Sequence, residues 1–191
     1  MNVYEYLWTK LKMSIKLFAF LLMFSTFIFW QCKDLDKFTM FNMDFRESII
    51  IQSSTGINLP FNVLTPDITT NSESTFASNK TRKDLVEDIR LKQLTLTITS
   101  PSSGDFRFLK SVVLYLNADG LPEVKIASKE NIPSTQGNSL DLEVLDINLK
   151  EYIIKDKYTL RLNTVTDELI SQDHQVEVYT QFRINAKLLG I

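Results

Sequence analysis

The chain reads as an all-β protein, an antiparallel β-sandwich, on three observations. Its body alternates apolar and polar residues over long stretches, most plainly from Val176 to Leu188, and a period of two belongs to strands with one buried face. Turn-forming words such as Pro101-Ser-Ser-Gly104 and Asp119-Gly120 cut the alternation into strand-length pieces. Apolar residues at helical spacing occur only in short runs, too little for the helical layer of a doubly wound fold.

Phe45 to Ile51 opens the body as a first strand. From Gln52 to Lys80 the composition changes to Ser53-Ser-Thr-Gly56, Pro60, Pro66 and Asn71-Ser-Glu-Ser-Thr75, broken by Phe61-Asn-Val-Leu64. Proline cannot donate to a ladder, so this region is expected to hold loops with one or two edge strands. In Thr81 to Ile89 a threonine precedes Asp84 by three residues, and Leu85, Val86 and Ile89 fall on one helical face, which predicts a short capped helix. Leu94, Leu96 and Ile98 then alternate with three threonines, whose β-branched side chains suit an outer pleated face.

Ser111 to Asn117 is apolar on both faces and is expected to lie centrally, covered twice. Asp119-Gly120 makes the hairpin turn to a returning strand over Val124 to Ala127. Leu140, Leu142 and Val144 mark a further strand, and Leu149, Tyr152 and Ile153 repeat at helical spacing within Asn148 to Lys155. Tyr158 to Val165 and Val176 to Leu188 close the fold, with Thr166 to His174 suited to a hairpin loop. The outline is immunoglobulin-like, although both tryptophans, Trp8 and Trp30, lie upstream of it.

Ahead of the body stands a different kind of segment. Lys10, Lys12 and Lys16 precede fourteen uncharged residues, Leu17 to Trp30, and the only cysteine, Cys32, follows. A spanning helix needs about 20 apolar residues and a signal-peptide core roughly 7 to 15. A short basic start, an apolar run and then a cysteine resemble a bacterial lipoprotein signal; Phe29 and Gln31 stand where its lipobox usually has Leu and a small residue. The resemblance implies residues 1–31 as signal peptide, with Met13 as a second start, and Cys32 as the acylated first residue of the mature chain. Residues 32–44 are then a tether and 45–191 a single β-sandwich domain. Lys33-Asp34-Leu-Asp36 resembles the charged tract that sends some lipoproteins of Bacteroidota-type bacteria to the cell surface. Localisation is thus expected in the cell envelope, at the outer membrane. Each buried methylene contributes about 0.8 kcal/mol, so two acyl chains hold a protein where one does not.

Without residues 1–31 the chain has 160 residues, enough for one core. Loss of Lys10, Lys12, Lys16 and Glu5 leaves 18 basic and 22 acidic residues, a formal charge of −4. That balance argues against a nucleic-acid partner, which would call for basic clusters. With Cys32 alone, no intramolecular disulfide forms.

Catalytic chemistry has little to draw on. The single histidine, His174, adjoins Asp173 and lies near Ser171, but a triad needs hydroxyl, imidazole and carboxylate to converge in space; a solvated loop histidine is the simpler reading. No His, Cys and carboxylate cluster has metal-ligand spacing, and no glycine-rich phosphate loop implies a cofactor. Three carboxylate groups stand out: Asp84, Glu87 and Asp88; Asp141 and Glu143; Asp167 and Glu168. A pair held across a sugar bond is glycosidase chemistry. Phe38, Phe41 and Phe45, and then Phe106 and Phe108, are core residues or exposed contacts for a partner. Residues 52–80 and Asn131 to Ser139 are the loops in which a partner surface is expected. The function expected is a noncatalytic, lipid-anchored binding or scaffolding module with an envelope protein or glycan partner. The alternative is a carboxylate-dependent carbohydrate-active or other hydrolytic enzyme.

Overall fold

The computed structural model describes residues 40–53 and 57–188. Cys32, Phe38, the leader and the tract after the cysteine lie outside these residues. In chain order the elements are β1 (Met40–Ile51), β2 (Pro60–Leu64), β3 (Ile68–Thr69), α1 (Ser72–Ser78), β4 (Val86–Ser100), β5 (Leu109–Asn117), β6 (Val124–Lys129), β7 (Ser139–Asp141), β8 (Glu143–Val144), α2 (Lys150–Ile153), β9 (Lys157–Thr166) and β10 (His174–Ala186).

The strands form two antiparallel sheets. One has the order β1-β10-β4-β7; the other has β2-β9-β5-β6-β8, with β3 also on β9. Apart from the β5–β6 hairpin, the main connections carry the chain from one sheet to the other. This is jelly-roll connectivity, not the immunoglobulin-like outline. The sheets share one core. Phe45 of β1 packs edge-to-face on Tyr158 of β9 at 5.6 Å, and Tyr158 on Phe182 of β10 at 6.1 Å.

The period-two stretches became strands as expected, and β10 buries every second residue from His174 to Ala186. β9 buries Tyr158, Leu160 and Leu162. β1 begins at Met40, before Phe45, so Phe41 and Met43 join its inward face. The loop-rich reading of residues 52–80 holds for the edge strands β2 and β3. It missed α1, a helix of mostly Ser, Thr and Glu that buries Phe76.

The helix expected over Thr81 to Ile89 is not formed. A 3₁₀ turn at Lys83–Leu85 leads directly into β4. Against β10, the register of β4 skips Glu87, Lys92 and Thr99, three β-bulges in one strand. A bulge adds a residue and bends the strand. The inward residues Val86, Ile89, Leu91 and Leu94 are therefore spaced three, two and three apart, and that spacing imitates a helical face.

Three connections also differ from expectation. Thr166 to His174 is no hairpin loop, because β9 and β10 belong to opposite sheets; Ile170 tucks in at 3 % exposure while Leu169 stays out at 58 %. Leu140 and Val144 do not share one strand. The chain changes sheets at buried Leu142, whose N–H donates to Leu94 O at 3.0 Å. β5 is central in its sheet but covered on one face only. Val112, Leu114 and Leu116 are buried, whereas Val113 and Tyr115 stay half-exposed, with the Arg161 guanidinium 4.3 Å above the Tyr115 ring.

Candidate functional site: a loop-built cavity around His174

Jelly-roll connectivity gathers four connections at one end of the sandwich, the one after β1 through its described residues 52–53 and 57–59, and then 101–108, 130–138 and 167–173. They are tied to one another. Ser53 N–H donates to Asp173 Oδ1 at 2.7 Å, Phe106 N–H to Gly137 O at 3.1 Å, Asp167 N–H to Phe108 O at 3.2 Å and Asn58 N–H to Thr166 O at 2.7 Å. Loops held this way by a rigid scaffold are where binding residues usually sit.

Between two of them lies a cavity of about 150 Å³. It is lined by Ser103, Gly104, Asp105, Arg107, Phe108, Glu168, Leu169, Ile170, Ser171, Gln172 and His174. His174, first residue of β10 and opposite Ile51 of β1, forms its inner wall. It is only 6 % exposed, which corrects the expectation of a solvated histidine. Its ring packs tilted against Phe108, centroids 4.8 Å apart, and its Nδ1 is buried with no hydrogen-bond partner among the described residues. Buried polar atoms of this kind are uncommon, because desolvation without a partner costs about 1–3 kcal/mol.

Gly104 lets the loop close on the imidazole. A Cβ there would stand 2.7 Å from Ile98 Cγ2, 3.0 Å from Pro101 O and 3.1 Å from His174 Cδ2. On the rim, Asp105 caps the 3₁₀ turn Phe106–Phe108 by accepting from Arg107 N–H at 3.2 Å, and it accepts from Arg107 Nε at 2.8 Å. The hydrogen bond from that guanidinium holds the Asp105 carboxyl below the usual aspartate range. The same pairing raises Arg107. The cavity thus offers a mostly polar lining around one imidazole, with Phe108, Leu169 and Ile170 as its apolar members.

The structure gathers some of the expected site residues and scatters others. Ser171 and His174 do meet at one cavity, but Asp173 turns to the Ser53 backbone and Nδ1 lacks the orienting bond a triad requires. Asp84 pairs with Arg82, Glu87 with Lys187, and Asp88 with Arg90. Asp141 sits on β7 and Glu143 on β8, in different sheets. Asp141 accepts from Thr95 Oγ1, and Glu143 pairs with Lys129. Glu168 reaches the cavity rim. Phe41 and Phe45 face inward, and Phe106 and Phe108 are buried. Among the described residues no group of three or more His, Cys, Asp or Glu is placed to hold a metal, and no helix is long and apolar enough to cross a membrane.

Sequence reasoning missed Ser103, Gly104 and Arg107. The word Pro101-Ser-Ser-Gly104 showed only as a strand break, although a glycine beside a bulky strand is a usable signal of close approach. A second, more open groove of about 710 Å³ lies at the opposite end, between Asp67, the Asn117–Leu121 turn and the start of β9. There Lys157 Nζ pairs with Asp67 Oδ2 at 2.5 Å, and the bond to that carboxylate raises the lysine.

No protein-family model matches the chain, and no curated protein sequence matches it. Among solved structures it is similar in outline to the C-terminal domain of a chitobiase from Bacteroides fragilis, at 14% identity over 63% of this chain and 62% of that one, TM-score 0.33. That match spans less than two thirds of the chitobiase domain. CBM32-3 from a family 31 glycoside hydrolase of Clostridium perfringens matches at 10% identity over 73% and 75% of the two chains, TM-score 0.31. The decameric BFDV capsid protein matches at 8% over 78% and 98%, TM-score 0.39. Likeness at this level transfers neither ligand nor activity. The class that this chain's own geometry defines is a jelly-roll β-sandwich with a loop-built cavity at one end.

Proposed function

We propose that the chain is a lipid-anchored envelope protein whose jelly roll is a noncatalytic binding module, taking a glycan or a polar loop of an envelope protein at the His174 end. The observation that carries the reading is the gathering of four bonded loops at one end of the sandwich, two of which enclose a small cavity with a polar rim. β1 runs from Met40 to Ile51, so Met40 lies at the end of the sandwich opposite these loops. Twelve strand residues separate those ends by about 40 Å.

Two measurements test the two halves of the proposal. Metabolic labelling with a fatty-acid probe tags the wild type and not Cys32→Ala; equal labelling of both removes the anchor. Envelope glycans and envelope proteins are then tested for binding to the full chain and to Ser171→Ala and Gln172→Ala, both on the cavity rim. Loss of about tenfold in affinity in these variants is expected, whereas binding unaffected by either moves the site elsewhere.

A further inference from the structure

β1 is the outermost strand of its sheet. It bonds to β10 on one side and to no strand on the other among the described residues. The pairing with β10 runs through all twelve residues without a register shift, and β1 contains neither proline nor glycine. Exposed edges are normally blunted by short strands, proline or bulges. The other edges of this sandwich follow that practice: β2 has five residues and begins at Pro60, β7 has three and β8 two. Among the described residues β1 alone is a long, regular, open edge, and every second residue of an antiparallel strand turns its N–H and C=O to the open side.

The outer face of that edge carries Met40, Asn42, Asp44, Arg46, Ser48 and Ile50, all exposed. Read in either direction, it runs apolar, neutral polar, charged, charged, neutral polar, apolar. We propose that β1 pairs antiparallel with β1 of a second copy about a two-fold axis at Phe45, joining two four-stranded sheets into one.

The chemistry selects that register. Directly opposite residues in a continuous sheet share a face, so only pairings centred on a residue are allowed. Centring on Asp44 sets two aspartates against each other, and centring on Arg46 sets two arginines against each other. Centring on Phe45 pairs Asp44 with Arg46 twice, Asn42 with Ser48 twice, and Met40 with Ile50 twice. Glu47, on the inner face, meets Phe41, Met43 or Phe45 in these three registers and so does not choose among them. Asp44 has no ion pair among the described residues. Arg46 is held on the outer face by Glu177 Oε1 at 2.8 Å and by the Tyr179 ring at 4.4 Å, with donors to spare. Two exposed apolar side chains, Met40 at 38 % and Ile50 at 58 %, are covered by each other in the pair.

The test uses the full chain in nonionic detergent, by sedimentation equilibrium at about micromolar concentration. The wild type is expected to be a dimer. Asp44→Arg and Arg46→Asp each weaken it about tenfold, since one substitution places like charges opposite at two symmetry-related positions. The double swap Asp44→Arg with Arg46→Asp returns the dissociation constant to within about threefold of wild type, because the facing charges are again opposite. Both side chains are exposed, so folding is not at stake. Mild oxidation links the double variant Asn42→Cys with Ser48→Cys into a dimer, and leaves unlinked both Asn42→Cys with Arg46→Cys and the wild type, whose one cysteine is Cys32. A monomeric wild type, a dimer indifferent to the charge swap, or linkage between 42 and 46 overturns the proposal.

Discussion

Replacing Gly104 by alanine tests how closely the 101–108 loop is packed on the strand below. The added methyl would meet Ile98 Cγ2 at 2.7 Å, Pro101 O at 3.0 Å and His174 Cδ2 at 3.1 Å. Two of these belong to side chains that are themselves 4 % and 6 % exposed, and the third is backbone, so none is a flexible end that can swing away. Overpacking of this kind costs about 1–3 kcal/mol. Loss of glycine's freedom in the unfolded chain offsets about 0.4–1 kcal/mol, which leaves a net loss of about 1–2 kcal/mol. For a domain of this size that corresponds to a fall in Tm of about 2–8 °C. Gly137→Ala is the internal control, since nothing lies within 4 Å of its Cβ position; it is neutral or stabilising by a few tenths of a kcal/mol. Urea unfolding of the full chain in detergent, followed by far-UV circular dichroism, reads both. Equal midpoints for the two alanine variants would refute the close approach of Gly104 to His174.

Two further outcomes follow from the same end of the sandwich. His174→Leu removes a buried nitrogen that has no partner among the described residues, so the chain keeps its stability or gains up to about 1 kcal/mol while ligand binding falls; a loss of several kcal/mol in urea unfolding would mean that the imidazole is a structural hydrogen-bonding group. Asp105 has a folded-state pKa depressed by its bond to Arg107, so its contribution to stability is full above the ordinary aspartate value of 3.8 and disappears as pH falls below it. Asp105→Asn therefore narrows the difference in stability between pH 6 and about pH 3, and an unchanged acid limb in the urea midpoints would contradict the pairing.

The parts of the fold that could be read from residues alone were those where side chains report the backbone one for one. β9 and β10 alternate without interruption, and Asp119-Gly120 supplies the turn, with Gly120 at φ 74. Misreadings arose where tertiary structure alters that correspondence. The bulges at Glu87 and Lys92 stretched the apolar spacing of β4 into a helical rhythm. Leu142 marks a change of sheet within an alternating word, and a period of two carries no information about which sheet a strand joins. α1 forms from residues of modest helix propensity because Phe76 is taken into the core, while Ser78 Oγ and Asn79 Nδ2 donate to the carbonyls of Ser74 and Thr75.

The site was less legible than the fold for a related reason. His174 lies at the boundary of a polar loop, and nothing local distinguishes a solvated histidine from one roofed by Phe108 across 66 residues of sequence. The two loop regions expected to carry a partner surface reach the cavity end through residues 52–53, 57–59 and 130–138, yet none of these lines the cavity, whose walls come from the connections 101–108 and 167–173 and from His174. Spatial convergence is set by connectivity, which strand patterns alone do not encode.

The three bulges of β4 bear on how this chain can change in length. Fifteen residues of β4 accompany twelve of β10, and the surplus Glu87, Lys92 and Thr99 are all exposed. Excision of Lys92 would leave Leu91 beside Phe182 and Gln93 beside Gln181, with every inward residue still inward, whereas excision of Thr95 would turn one flank of the strand inside out. Insertions and deletions thus have three permitted addresses in the centre of a sheet, and what is surrendered at each is curvature, with the assignment of faces intact.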